Sequence, residues 1–252
     1  MGGAIALDPP RITPLGWLLI AGRLLMMVAL LIVCLPLHGL WKAMRLDRFW
    51  PRVFLTGIGA ICGLQIERRG RPVPGALLVA NHVSWLDIPA LAQTAGSAFV
   101  AHDGLSAFPL LKFLCRLNET VFVARHDRTS ISRQVEDVRH AIDHGGTLTL
   151  FAEGTTSDGT GLLPFKSALF SAVSPLPEGV AVQPVLLAYE NAADMAWVGE
   201  EPGLDNFKRI LARLRPLHLT IHFLPPLAGP QLANRKTMAA AAQEGLRRAQ
   251  RP

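Results

Sequence analysis

At 252 residues the chain can hold one ordinary α/β domain and one additional element. Half of its residues are hydrophobic and only 17% are charged, against roughly 25% in soluble domains, which points to an apolar partner. The formal charge of +6 favours an anionic partner, and Tyr189 as the only tyrosine, with no RNA-stacking motif, ranks nucleic acid below anionic lipid.

Residues 15–41 form an apolar stretch interrupted by Arg23. Its charge-free part, Leu24 to Leu37, is shorter than the ~20 residues a membrane span needs; with Leu15 to Arg23 included and Arg23 snorkelling, the length suffices. A second apolar segment, Val53 to Leu64, is too short to span. Basic residues flank it: Lys42, Arg45, Arg48 and Arg52 before, Arg68, Arg69 and Arg71 after. That pattern suits a helix lying in the membrane interface. A cleaved signal peptide is disfavoured, because no small-x-small site follows the apolar run. Residues 1–64 are therefore expected to be a membrane-binding helical element and residues 65–252 the main domain, on the cytoplasmic side by the positive-inside rule.

From residue 72 short apolar runs alternate with helical patterns. Ala76 to Ala80, Ala98 to Ala101, Thr120 to Val123, Thr147 to Ala152, Val180 to Leu187 and Leu217 to Phe223 are predicted strands. Ile131, Val135, Val138 and Ile142 form a helical stripe that Ser130 can cap and Gly145-Gly146 can end. Phe207 to Leu214 and Met238 to Ala249 are predicted helices. The alternation implies an α/β fold, a mixed sheet flanked by helices. The three cysteines, Cys34, Cys62 and Cys115, lie far apart and give neither a disulfide framework nor zinc spacing. Of the histidines, His140 with His144 and His218 with His222 are four apart; both pairs are read as structural, the second on one face of a strand. No metal site is expected.

The run Asn81-His82-Val83-Ser84-Trp85-Leu86-Asp87 follows a predicted strand end, where reactive groups of α/β folds commonly sit. If the chain turns between them, Asp87 can orient the His82 imidazole and stabilise its protonated form. His82 is then a general base that needs no serine nucleophile. Ser84 has no Gly-x-Ser-x-Gly elbow around it and is assigned to the turn. After the fourth predicted strand, Glu153-Gly154-Thr155 reads either as a plain glycine turn or as amides and hydroxyls cradling an anionic head group. Lys166 would add charge to such a pocket, or be an ordinary surface lysine. Arg125 is a solvated strand-end charge or a bidentate partner for an anion.

The order and spacing of these blocks resemble the lysophosphatidic acid acyltransferase family, also called the glycerolipid acyltransferases. Residues 81–87 match Asn-His-x-Ser-x-x-Asp; Phe122 and Arg125 match Phe-x-x-Arg; residues 151–157 match Phe-Pro-Glu-Gly-Thr-Arg-Ser with two departures; Val182, Pro184 and Val185 match the apolar-x-Pro-apolar block. The resemblance implies acylation by an acyl thioester, a His82/Asp87 dyad and an amino-terminal two-helix membrane-binding element. In the departures Ala152 replaces proline, and Thr156 replaces the arginine of phosphatidate-forming enzymes. That second change, with Leu163-Pro164-Phe165-Lys166-Ser167 following, is similar to the bacterial lyso-ornithine lipid acyltransferase branch. His102 stands where many relatives carry lysine, which leaves an oxyanion role for it open beside backbone amides.

The resulting expectation is a bacterial inner-membrane enzyme with a cytoplasmic catalytic domain. It would move an acyl chain from acyl carrier protein or coenzyme A to the hydroxyl of a monoacyl lipid. The acceptor is lyso-ornithine lipid, 1-acyl-sn-glycerol-3-phosphate or both. His82 and Asp87 are the catalytic pair, and Arg125, Glu153, Gly154, Thr155 and Lys166 contact the head group. No bound cofactor and no nucleic acid are expected. A strict phosphatidate-forming enzyme is the nearest alternative, and a non-catalytic lipid binder the alternative from another class.

Overall fold

The computed structural model describes residues 12–44, 49–102, 109–118, 120–123, 136, 146–199 and 201–251. Arg125, Arg128, His140, His144 and nearly all of the predicted 131–142 helix lie outside them. So do the side chains of His102 and Phe122.

Among the described residues seven strands form one sheet in the order β1-β7-β6-β2-β5-β3-β4. The strands are β1 (Leu64–Arg69), β2 (Leu77–Ala80), β3 (Ala98–His102), β4 (Val121–Val123), β5 (Leu148–Phe151), β6 (Val182–Tyr189) and β7 (Leu217–Phe223). β6, β2, β5, β3 and β4 run parallel; β7 is antiparallel to β6 and parallel to β1. The sheet is thus mixed, as expected. β2 lies between β6 and β5, and Leu77, Leu78, Val79 and Ala80 are wholly buried. A strand covered on both faces reads as a continuous apolar run, which is how the sequence presents it.

Side chains of β2 alternate between two cores. Leu78 and Ala80 pack with Leu86, Leu91, Ile210 and Ile221. Leu77 and Val79 pack with Leu148, Leu150, Phe170, Met238 and Ala242. The first core lies under helices α3 (Asp87–Ala95) and α6 (Gly203–Leu211), the second under α7 (Arg235–Gln250). Two further short helices are α4 (Pro109–Leu117) and α5 (Ala192–Met195). In β7 the alternation seats Leu217, Leu219, Ile221 and Phe223 inside, with His218 and His222 together on the more exposed face. Burial and neighbouring Arg69 lower the His222 pKa from its ordinary value. Cys34 and Cys62 are buried free thiols, and burial pushes Cys62 up to about 12, where it is inert.

The amino-terminal segments form α1 (Pro14–Ala43) and α2 (Phe49–Ile61). Thr13 caps α1 by accepting from the Gly16 amide at 3.1 Å. α1 crosses close to α2 at Gly57, where a Cβ would come within 2.5 Å of Leu30 Cδ2. α2 packs along α3, and Arg52 donates to the Gln93 carbonyl at 2.9 Å. Three sequence expectations change here. Leu64 opens β1 instead of ending the second apolar segment, and Arg68 and Arg69 belong to that edge strand, not to a flank of α2. Arg23 does not snorkel. Its guanidinium donates to the carbonyls of Leu211 (2.9 Å) and Ile210 (3.4 Å), at the end of α6. A helix end has carbonyls without intrahelical partners, and a cation there satisfies them and the macrodipole together. The first turns of α1 are thereby fastened to the α/β domain.

Candidate active site

Strand register brings the site together. β2 and β5 pair in parallel, with Ala80 opposite Phe151. His82 and Glu153 each lie two residues further on, so they emerge side by side despite their separation in sequence. Asn81 extends the junction on the other flank. Its side chain accepts from the Leu187 amide at 2.8 Å and donates to the Leu187 carbonyl at 3.0 Å, so it pairs with β6 where β2 has ended.

Asp87 is the first residue of α3 and is wholly buried. Its Oδ2 accepts from the amides of Val83 (2.7 Å) and Ser84 (3.0 Å) and lies 2.8 Å from His82 Nδ1. Its Oδ1 accepts from the Tyr189 hydroxyl at 2.6 Å. A carboxylate is tolerated in the interior only with such donors, and charge-assisted bonds of this kind are each worth roughly 1.5–3 kcal/mol. With Nδ1 engaged by Asp87, the ring presents Nε2 as its second nitrogen. The Ser84 hydroxyl accepts from the Leu86 amide at 3.4 Å, consistent with its place in the turn.

His82 is held by its backbone as well. Its amide donates to Glu153 Oε2 at 2.9 Å, and its carbonyl accepts from the Ser157 amide (2.7 Å) and hydroxyl (3.1 Å). Its ring stacks on Phe151, with centroids 4.0 Å apart and planes at 17°. Phe99 stacks behind Phe151 at 6.0 Å. Position, tilt and one ring nitrogen are all fixed, while the side chain keeps 19% of its surface exposed.

Glu153 has a task the sequence did not disclose. It is wholly buried, and its second oxygen accepts from the Leu163 amide at 2.8 Å. Both carboxylate oxygens thus serve backbone amides, which gives Glu153 an inward clamp where head-group contact was expected. Burial holds its carboxyl above the ordinary range, against the opposing pull of those two amides. Gly154 turns the chain at φ +67°, and Thr155 beyond it is exposed. Lys166 runs over this turn: a Cβ on Gly154 would sit 3.4 Å from its Nζ. The Thr156 hydroxyl donates to the Trp197 carbonyl, and the Trp197 amide donates to the Val83 carbonyl at 3.1 Å. The segment between α5 and α6 therefore straps the His82 loop to the Thr156 loop. Arg209 secures that strap through Glu201 (2.9 Å) and the Ala196 carbonyl (2.9 Å).

The structure thus gathers His82, Asp87, Glu153, Gly154, Thr155 and Lys166 at the carboxyl ends of β2 and β5. Tyr189, Asn81 as a bridge, and Phe151 as the platform under His82 were not visible in the sequence. A lone tyrosine two residues past a predicted strand was the available signal for the first.

The family described as Acyltransferase matches residues 65–188. The lyso-ornithine lipid O-acyltransferase of Rhizobium meliloti (strain 1021) is 33% identical over 257 residues, 93% of this chain and 86% of that protein. The enzyme of the same name from Brucella abortus (strain 2308) is 32% identical, over 88% of this chain and 90% of that protein. The 1-acyl-sn-glycerol-3-phosphate acyltransferase of Neisseria gonorrhoeae is 39% identical, over 54% of this chain and 55% of that protein. Among solved structures, the 1-acyl-sn-glycerophosphate (LPA) acyltransferase PlsC from Thermotoga maritima shares the fold, with a TM-score of 0.62 at 20% identity over 94% of this chain and 97% of that one. The chain belongs to the acyltransferase family, and it is an enzyme of that class.

Proposed function

We propose that this acyltransferase is a membrane-bound lysolipid O-acyltransferase that transfers an acyl chain from an acyl thioester, on acyl carrier protein or coenzyme A, to the hydroxyl of a monoacyl lipid. The observation that carries the mechanism is the 2.8 Å contact between His82 Nδ1 and an Asp87 oxygen already held by two backbone amides. Asp87 fixes the tautomer in which Nε2 carries the lone pair. As the acceptor hydroxyl attacks the thioester carbonyl, Nε2 takes its proton. The new C–O bond forms, the C–S bond breaks, and the proton passes from Nε2 to the departing thiolate. General base assistance of this kind is worth about 10²–10⁴-fold. Glu153 and Ser157 act as positioning residues that hold the His82 backbone. Gly154, Thr155, Lys166 and Arg125 are assigned to the acceptor head group, and His102 or nearby amides to the oxyanion.

The acceptor favoured is lyso-ornithine lipid. The relatives that cover most of this chain carry that name. Thr156, in the place of a phosphate-binding arginine, is bonded to the Trp197 carbonyl. An ornithine carboxylate carries less charge than a phosphate and needs fewer cations. The 1-acyl-sn-glycerol-3-phosphate acyltransferases among the relatives keep lysophosphatidic acid as the second reading.

Membrane attachment is supported by the outer face of α1, where Leu18 (71%), Leu25 (71%) and Ile32 (67%) are exposed. A long apolar face of this kind favours a lipid or protein surface over water. Because α1 is fastened to α6 and packed along α2, the face is proposed to lie in one leaflet, with the α/β domain on the cytoplasmic side. The test is acyl transfer from labelled acyl carrier protein and acyl coenzyme A to lyso-ornithine lipid and lysophosphatidic acid, side by side. The parent enzyme is expected to acylate lyso-ornithine lipid. His82→Ala is expected to lose nearly all turnover while still binding vesicles; turnover retained in that variant defeats the base assignment.

A further inference from the structure

Asp87 divides its hydrogen bonds unevenly. Oδ2 accepts from the Val83 and Ser84 amides and faces His82 Nδ1, whereas Oδ1 accepts from the Tyr189 phenol at 2.6 Å. A carboxylate has a soft torsion about its last bond, so its plane tilts readily unless both oxygens are held. The Val83 and Ser84 amides hold Oδ2, and the hold on Oδ1 comes from β6, the strand beside β2. β2 ends at Ala80 opposite Val185, and β6 continues to Tyr189 above the site. Both Asp87 and Tyr189 are buried, so solvent has little access to replace the phenol. The Tyr189 hydroxyl is also held far above its ordinary titration range, by burial and by the Asp87 charge, so it stays a donor. The ring of Tyr189 packs in the core around Val185, Leu187 and Leu219. A phenylalanine would fill that space without a hydroxyl. Among the described residues the titratable side chains that meet the pair are Tyr189 from β6 and Glu153 from the loop after β5.

We propose that Tyr189 is a positioning residue for the His82 base: its O–H pins Asp87 Oδ1, fixes the tilt of the carboxylate plane toward His82 Nδ1, and sets how much of the carboxylate charge the imidazole feels. The inference rests on the reading of His82 as general base. A phenol that draws charge from Asp87 leaves less to stabilise the imidazolium. Removing the phenol hydroxyl strengthens that stabilisation, and making it a stronger donor weakens it.

Because the chain has a single tyrosine, the test needs no site-selective chemistry. Full-length protein in lipid vesicles is prepared as parent, as Tyr189→Phe, and with 3-fluorotyrosine supplied in place of tyrosine, which makes the phenol a stronger donor without changing its shape. Two quantities are read: the acid limb of kcat/KM against pH, and the pH at which the imidazole nitrogen-15 signals of His82, assigned with His82→Ala, titrate. In Tyr189→Phe both are expected to move together to higher pH, with kcat at the plateau lowered about 10-fold, the scale of one hydrogen bond lost from the transition state. The fluorotyrosine protein is expected to move both to lower pH. Limbs and nitrogen signals that stay with the parent in both preparations overturn the proposal, even if turnover falls, since a purely structural phenol would cost activity without moving either. Should Tyr189→Phe fail to fold, the fluorotyrosine protein alone decides. Full turnover in His82→Ala would instead defeat the base reading, and the nitrogen titration would still report whether Tyr189 acts on the pair.

Discussion

The His82–Asp87 corner and helix α1 are inverse solutions to burial. In the corner, polar groups are inside: Asp87 and Glu153 are wholly buried, and each oxygen meets a backbone amide, an imidazole or a phenol. On α1, apolar groups are outside, and the polar contacts of Arg23 attach the helix to the domain. Hydrogen bonds are directional, so the corner depends on individual atoms placed within tenths of an ångström. Apolar burial is proportional to area and blind to direction, so α1 depends on the polarity of its face as a whole. The first region should fail on isosteric changes, and the second should ignore them and fail only on charge.

The largest effect expected is at Asp87. Asp87→Asn keeps the shape, but one nitrogen replaces an acceptor among four donors and the orienting charge is lost. Turnover should fall about 10²–10⁴-fold, the scale of the base assistance it supports, and steady-state kinetics on vesicles measures it. An isosteric variant with parental kinetics would remove the contrast between the two regions. Next comes Ile32→Arg. Losing an exposed isoleucine costs about 1.5–3 kcal/mol of apolar transfer, so vesicle partitioning measured by flotation should weaken about 10-fold or more, with Ile32→Leu unchanged. Equal losses in both would mean that α1 is recognised by shape and not by polarity.

The smallest effect expected is on stability at Glu153. Glu153→Gln sets an NH2 donor against one of the two amides, whereas a carboxyl keeps an oxygen for each in either protonation state, so one buried donor goes unpaired at a cost of about 1–3 kcal/mol. Its pH dependence has a definite sign. Burial raises the Glu153 pKa in the folded state above its unfolded value. That contribution to stability is therefore present in full below the unfolded pKa and is lost as pH rises through the folded one. The glutamine variant has no such loss, so the stability gap between the two should narrow from acid to neutral pH in urea unfolding. A gap that widens would mean that the amides outweigh burial at this carboxylate.

Much of the fold was legible in the sequence. β2, β5 and β7 stand out because continuous or alternating apolar runs are local consequences of a strand's two-residue period. α6 and α7 were legible through their helical stripes, with boundaries shifted by a few residues. β1 was not, since Glu67, Arg68 and Arg69 on an edge strand look like a polar linker. Nor was the helix that starts at Asp87, because Ile88-Pro89 interrupts the expected pattern. Of the site, the meeting of His82 and Asp87 was legible because both belong to one turn. Glu153 was identified but given the wrong neighbour, since a carboxylate bonded to amides inside and one facing a ligand have the same sequence.

The α/β class, the apolar amino-terminal element and the His82–Asp87 pair could be read from residues near one another along the chain. That Arg23 caps α6, that Glu153 holds the His82 amide, and that Tyr189 reaches Asp87 from four residues past the end of β2's pairing came from the packing of the folded chain. Each of those contacts joins segments that are distant in sequence, and strand register and helix packing, not local preference, set the distance between them.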